Sequence, residues 1–376
     1  MKDGWEIKKL KEIAEIISGQ SPESSYYNTS KDGLPFYQGK IEFTKKYIAP
    51  PKIWTSKITK QAIAGDILMS VRAPVGPTNF ATEDCCIGRG LAAIRVGNTV
   101  DREFLYLYFQ TIEEKLKGKE GAVFNSLTRD QIKNIDIPLP PLSEQKEIVA
   151  LLDDVLSRID KARENIEKNI ENAKELYENA VEQVFTDCGE IYGCVKLSDV
   201  CHYDKIKNTT PNLPYVGLEH IESNTGRFLG NLTPTDVLSS TFYFSNTHLL
   251  YGRLRPYLNK ALLPTFEGHC STEIFPISVH EEIMREYLFY WITAKSIMKR
   301  IDKTWTGARM PRANMTQVLE FEIPLPPLSK QQEIVSTLGI LRDDTELVKT
   351  IYTKKLQALD ELRNSVLEKA FRGELT

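Results

Sequence analysis

Three groups of side chains in this 376-residue chain have types and spacings that could do chemistry. Asp101 followed by Glu113 and Lys115 puts a Glu-x-Lys after an acid, a known nuclease pattern. The same residues, with Glu114 and Lys117, read more simply as the solvated side of a helix. Cys188, Cys194, Cys201 and His202 bring thiols and an imidazole together, but wider apart than the usual Cys-x2–4-Cys pairs of a zinc site. The third group is basic and aromatic. Lys40, Lys45, Lys46, Lys52, Lys57 and Lys60 stand in one stretch against Glu42 alone, interleaved with Tyr37, Phe43, Tyr47 and Trp54. Arg253, Arg255 and Lys260 lie beside Tyr251 and Tyr257, and Lys295, Lys299, Arg300, Lys303, Arg309 and Arg312 face only Asp302. Cations of this kind neutralise phosphates, and arginine also reads guanine while asparagine and glutamine read adenine.

Other chemistry finds no support. No Gly-x4-Gly-Lys-Ser/Thr loop is present, so no P-loop ATPase is expected. Pro50-Pro51, Pro140-Pro141 and Pro326-Pro327 lack the Asn/Asp-Pro-Pro-aromatic neighbours of an amino-methyltransferase, and no Gly-rich cofactor loop accompanies them. The five histidines lie in the second half without metal spacing. No metal site, no catalytic residue and no cofactor of the chain's own is expected. A hydrophobic content of 41% lets each half bury a core, and the net charge of −3 leaves any nucleic-acid affinity to local patches. The charged start Met1-Lys2-Asp3 and the lack of a long apolar run predict a cytoplasmic protein with no membrane partner.

These residues are positioned by a duplication. Ile137-Pro138-Leu139-Pro140-Pro141-Leu142-Ser143 returns as Ile323-Pro324-Leu325-Pro326-Pro327-Leu328-Ser329, an offset of 186, and 11 of 13 positions agree as far as Val149 and Val335. Gly121-Ala122 matches Gly307-Ala308, Phe185 matches Phe371, and Lys9-Leu10 answers Lys196-Leu197. Two copies suit a pseudo-twofold protein with two similar binding surfaces better than a solenoid.

After each Pro-rich hinge the apolar residues step by four and three. Ile148, Leu152, Val155, Ile159, Ile166 and Leu176 form one seam, and Ile334, Leu338, Leu341, Val348, Leu359 and Leu362 the other. Asn169 and Lys355 interrupt them at equivalent places. Such seams predict two helices of about 42 residues, on the order of 60 Å each, paired as an antiparallel coiled coil. Ser143 and Ser329 are the expected N-caps, with Gln332 completing a capping box in the second copy. The expected division is a globular domain at 1–143, a helix at 144–186, a second globular domain at 187–329 and a helix at 330–376. The globular parts read as α+β, with strands at Ile67–Val71 and Leu91–Val96 and helices at Phe104–Leu116 and Met284–Arg300.

The two copies place Arg72 and Arg253-Leu254-Arg255 alike, each after an apolar strand-like run and before a proline. Gly121–Asn125 and Gly307–Arg312 are loops just before the hinges. Lys40, Lys45, Lys46, Arg72, Asn125, Arg253, Arg255, Lys260, Arg309, Arg312 and Asn314 are therefore the candidate DNA contacts.

The paired Pro-Leu-Pro-Pro-Leu-x-x-Gln-x-x-Ile-Val segments, with the ending Ala370-Phe371-Arg372-Gly373-Glu374-Leu375, resemble the specificity subunits of type I restriction–modification systems. The resemblance implies two target-recognition domains that read the halves of a split, asymmetric duplex sequence, with the helices as a ruler. It also implies docking of two modification (methyltransferase) subunits and of restriction (translocase) subunits. S-adenosylmethionine, Mg and ATP would then belong to those partners alone. A coiled-coil adaptor that reads no DNA stays open as the alternative.

Overall fold

The computed structural model describes every residue except 1, 3, 117–125, 236, 306–309 and 376. The chain forms two compact units. One comprises Met1–Asn165 with Lys354–Thr376, and the other Ile166–Thr353. Each therefore holds one globular region and a part of both long helices. Among the described residues no helix is long and apolar enough to cross a membrane.

Each unit is built on a four-stranded antiparallel sheet. In the first the order is Ala14–Ser18, Leu91–Val96, Ile67–Ser70 and Thr78–Phe80. In the second it is Cys201–Tyr203, Ile274–Val279, Leu249–Gly252 and Ala261–Leu262. The strand residues alternate between two cores because successive side chains point to opposite faces. Ile67, Met69, Ala92 and Ile94 join one core, and Leu68, Leu91 and Ala93 the other. Leu249, Tyr251, Phe275 and Ile277 face one side of the second sheet, and Leu250 and Ile274 its opposite side. Burial on both faces is why these strands read as unbroken apolar runs.

The helix expected at Phe104–Leu116 runs Arg102–Leu116, its start held by the Asp101 carboxylate, which accepts from the amides of Glu103 (2.9 Å) and Phe104 (3.1 Å). The one expected at Met284–Arg300 is two helices, Arg285–Thr293 and Lys295–Asp302, parted by an extended Ala294. The break has partners outside the helix. Asn259 donates to the Thr293 carbonyl (2.8 Å), and the Glu182 carboxylate accepts the Ser296 amide (2.7 Å). An anion at the second helix's N-terminus is favourable there.

Each Pro-rich hinge begins as a strand. Asp136–Leu139 pairs antiparallel with Glu6–Lys9, and Glu322–Pro324 with Cys194–Lys196. Among the described residues both ribbons have two strands, where proline is tolerated. The long helices then span Leu142–Tyr192 and Leu328–Arg372, each starting two residues before the expected helix. Ser143 and Ser329 consequently lie in the first turn rather than at the cap, and Gln332 bonds forward to Ser336 (3.4 Å) instead of closing a capping box. The ladder begins at the Pro141 and Pro327 carbonyls, each accepting at 3.0 Å from the amide of a buried glutamine, Gln145 or Gln331.

Within each unit the two helix segments run antiparallel. In the first unit Arg163 pairs with Asp360, and Ile148 and Leu152 share a core with Leu367, Ala370 and Phe371. In the second, Val181 and Phe185 share a core with Ile334 and Leu338. Ile148, Leu152, Ile159, Ile334 and Leu338 are buried, and Val155, Ile166, Leu341, Val348 and Leu359 are half-buried. The seam shifts toward the C-terminus of each helix. Leu176 is 64% exposed and Leu362 48% exposed, whereas Val181 and Leu367 are buried. A straight helix of 3.6 residues per turn drifts about 20° per heptad, which moves the inward face one residue along. Strict steps of three and four therefore misplace Leu176 and Leu362.

Candidate nucleic-acid interface

The central strand of each unit delivers its following residues to the same backbone frame. In the first unit the Val71 amide donates to the Gly90 carbonyl (3.0 Å), the Leu127 amide donates to the Val71 carbonyl (2.9 Å), and Arg72 bridges to Ser126. In the second the Arg253 amide donates to the Glu273 carbonyl (2.9 Å), the Ala313 amide donates to the Arg253 carbonyl (2.8 Å), and Leu254 bridges to Arg312. The strand registers agree, since Leu91 faces Ser70 as Ile274 faces Gly252. Val71, Gly90 and Ser126 therefore occupy the places of Arg253, Glu273 and Arg312. The loop after the strand and the loop before the hinge, far apart in sequence, meet in both copies.

The side chains on this frame differ completely. In the second unit Arg312 donates from Nε and Nη2 to the Glu273 carboxylate at 2.8–3.1 Å, and Arg253 donates from Nε to the same group (3.1 Å). Burial pushes the Glu273 carboxyl up, but the Arg312 hydrogen bond and the Arg253 charge outweigh it and hold it below the ordinary carboxylate value. The Arg253 guanidinium also lies 5.1 Å from the Phe275 ring centroid. Arg255 is exposed, with φ of 52°, and its amide donates to the Pro311 carbonyl (2.8 Å). A left-handed non-glycine residue costs on the order of 1–2 kcal/mol, which this tether offsets. Tyr257, Trp305 and Met310 are exposed in the same unit's loops and offer faces for stacking.

In the first unit Arg72 is exposed, and Arg89 projects from the turn Gly88-Arg89-Gly90. A Cβ at Gly90 would stand 2.6 Å from the Gln38 carbonyl oxygen, and one at Gly19 2.1 Å from that of Gly88. Three loops carrying Gln20, Gln38 and Arg89 are held close by this lack of side chains. The Ser21 hydroxyl ties them, accepting from the Arg89 amide (3.2 Å) and donating to Gln38 Oε1 (3.0 Å).

Several candidate residues have partners within the chain. Lys45 is exposed and paired with Asp160, and Lys46 is half-buried and paired with Glu103 (3.0 Å). Lys260 donates to the Leu218 carbonyl (2.6 Å), which turns it inward. Asn314 caps the Met315–Leu319 helix, accepting from the Thr316 and Gln317 amides (3.2 and 3.3 Å). Lys40 is half-buried and opens a single helical turn, Lys40–Glu42, beside Ile41, which is 83% exposed. Asn125 and Arg309 lie outside the described residues.

Glu273, Arg89, Gln20 and Gln38 are absent from the sequence-based candidates. Glu273 looks like any turn acid until the strand register puts it between two arginines. Gln145 and Gln331 belong to the repeated motif, whose pattern does not say what they hold. Gln145 Oε1 accepts from the Asp101 amide (2.7 Å), and its Nε2 donates to the Pro140 and Thr99 carbonyls (2.9 and 3.1 Å). Gln331 does the same with the Met284 amide (2.8 Å) and the Pro326 and Glu282 carbonyls (2.9 Å each). Each locks a long helix to the helix of its globular region.

The family model of the type I restriction modification DNA specificity domain matches residues 2–172 and again 192–355. A putative type I restriction enzyme MjaX specificity subunit of Methanocaldococcus jannaschii is 44% identical over 161 residues, 41% of this chain and 38% of that relative, so this match spans well under half of either protein. The Escherichia coli EcoDI specificity subunit is 23% identical over 413 residues, covering 99% of this chain and 89% of its own length. A chain from a structural study of complex assembly and conformational transition in the type I R-M system superposes with a TM-score of 0.81 at 18% identity, over 100% of this chain and 99% of that one. The HsdS subunit of Thermoanaerobacter tengcongensis gives a TM-score of 0.60 at 18% identity, over 100% and 98%. Two family domains on a duplicated α+β frame, each joined to long antiparallel helices, lead to one assignment: the chain belongs to the specificity subunits of type I restriction–modification systems.

Proposed function

We propose that this chain reads a bipartite, asymmetric sequence in double-stranded DNA for a type I restriction–modification complex, with one unit on each half. The observation that carries the reading is the shared frame with exchanged side chains: Val71, Gly90 and Ser126 in one unit, Arg253, Glu273 and Arg312 in the other. A common backbone with different donors and acceptors suits two readers of different half-sites, because base edges are distinguished by their donor and acceptor patterns. Exposed Arg72, Arg89 and Arg255 add charge for the phosphates.

Docking of the modification and restriction subunits belongs to the same proposal. On the second long helix Ile340 (65%), Leu347 (58%) and Ile351 (44%) are exposed at spacings of seven and four, one face of a helix. An apolar face left open to water suits a partner protein. The chain itself is proposed to be non-catalytic, with S-adenosylmethionine, Mg and ATP held by those partners, in the cytoplasm where the DNA is. The reading segments are proposed to be 1–143 and 187–329, with 144–186 and 330–376 as spacer and docking helices.

The test is selection from a random duplex library at physiological salt, with the purified chain alone and with a co-expressed modification subunit. Two short specified blocks around a fixed unspecified spacer are expected. Enrichment of no motif in either condition would favour a coiled-coil adaptor.

A further inference from the structure

The Arg253–Glu273–Arg312 cluster does more than add positive charge to a loop. Glu273 has two carboxylate oxygens, and both arginines bind them through the inner parts of their guanidinium groups. Arg312 uses Nε and one hydrogen of Nη2. That leaves Nη1 and the other Nη2 hydrogen, the two-donor end of the guanidinium. Such an end matches the O6 and N7 acceptors of guanine in the major groove. The acid lies deeper than the bases it binds: side-chain exposure is 21% for Glu273 against 31% for Arg253 and 38% for Arg312.

The pairing also distinguishes base reading from phosphate binding. A phosphate contact needs charge and tolerates a flexible side chain. Here part of the charge is cancelled by Glu273, while the planar fork is fixed in orientation before any ligand arrives. Fixing the rotamer in the free protein removes an ordering cost on binding. The frame supports the same geometry from below, since Arg253 hydrogen-bonds Glu273 and Ala313 through its backbone and Arg312 bridges to Leu254. In the first unit Gly90 and Ser126 stand at the places of Glu273 and Arg312, so the equivalent positions there do not form this cluster.

Resting on the DNA-reading function above, we propose that Arg312, oriented by Glu273 together with Arg253, reads a guanine in the half-site of the second unit, and that Glu273 is a positioning residue for that contact.

The experiment is the same duplex selection with single-position readout, on the full chain co-expressed with its modification subunit. It uses the parent chain, Arg312→Lys and Glu273→Gln. The expected result is a required G·C pair in one half-site, whose discrimination falls about 10- to 100-fold in Arg312→Lys. Glu273→Gln lowers discrimination at that same pair, and neither variant alters the other half-site. Melting curves on each variant separate misfolding from lost reading, and Glu273→Gln serves where Arg312→Lys does not fold. An unchanged motif in both folded variants would overturn the assignment. So would retained discrimination at that pair with affinity changed uniformly across all sequences, which would make Arg312 a phosphate contact. If the parent chain itself selects no split motif, the DNA-reading function fails first.

Discussion

Arg312 and Glu273 are joined by three hydrogen bonds of 2.8, 2.9 and 3.1 Å, across a bridge between loops that are 39 residues apart in the chain. The pair makes a carboxylate a structural part of a basic surface, and this has a consequence for pH. The folded-state pKa of Glu273 is depressed despite burial, chiefly by the Arg312 hydrogen bond and the Arg253 charge. Its contribution to stability is therefore fully present above the ordinary carboxylate range and is lost as pH falls through the depressed value. Melting temperatures of the parent and Glu273→Gln are expected to differ by a constant amount from pH 7 to 5 and to draw together as pH falls below the ordinary glutamate value of about 4.3. A difference unchanged down to pH 2 would show that the pair contributes through something other than the charge of Glu273.

The hinge glutamines are expected to be among the most sensitive polar positions. Gln145 and Gln331 are fully buried and each satisfies one amide and two carbonyls. Truncation leaves those groups without partners, a cost of about 1–3 kcal/mol at each site. Urea unfolding midpoints of Gln145→Ala and Gln331→Ala measure this. A shift below about 0.5 kcal/mol in both would mean that the repeated glutamine does not hold the helix in place.

The helix seam gives a contrast between residues of one type. Leu152 and Leu338 are buried, so Leu152→Ala and Leu338→Ala are expected to cost about 2–5 kcal/mol. Leu176 and Leu362 are exposed, so the same change there is expected within about 0.5 kcal/mol of neutral. Equal costs at all four positions in equilibrium unfolding would restore the strict heptad seam and refute the drift of the inward face.

Gly90 tests the first unit's reading surface. A methyl group there meets the Gln38 carbonyl at 2.6 Å, and backbone has to move. Gly90→Ala is expected to disturb the loops that carry Gln38, Arg89 and Arg72 while leaving the second unit's half-site intact. Duplex selection reads this directly, and an unaltered two-block motif would show that these loops do not contact the bases.

Much of the fold was legible because its signals are local or repeated. The offset of 186 marked the duplication, the unbroken apolar runs marked Ile67–Ser70 and Leu91–Val96, and the steps of three and four marked the long helices. What escaped depends on register and on distant partners. The break at Ala294 is stabilised by Asn259 and by Glu182 from the first long helix, which no local pattern records. The inward turn of Lys260 and the capping role of Asn314 required knowing what lies opposite each. Arg253 and Arg312 were found as basic residues, but their common partner Glu273 becomes visible only when Ile274 is set against Gly252.

The two units are proposed to read different halves of one duplex sequence. Selection from a random duplex library, with and without the modification subunit, tests it most directly. Two short unlike blocks at a fixed separation are expected, each altered independently by substitutions in its own unit. A single block, two identical blocks, or no enrichment at physiological salt would contradict it.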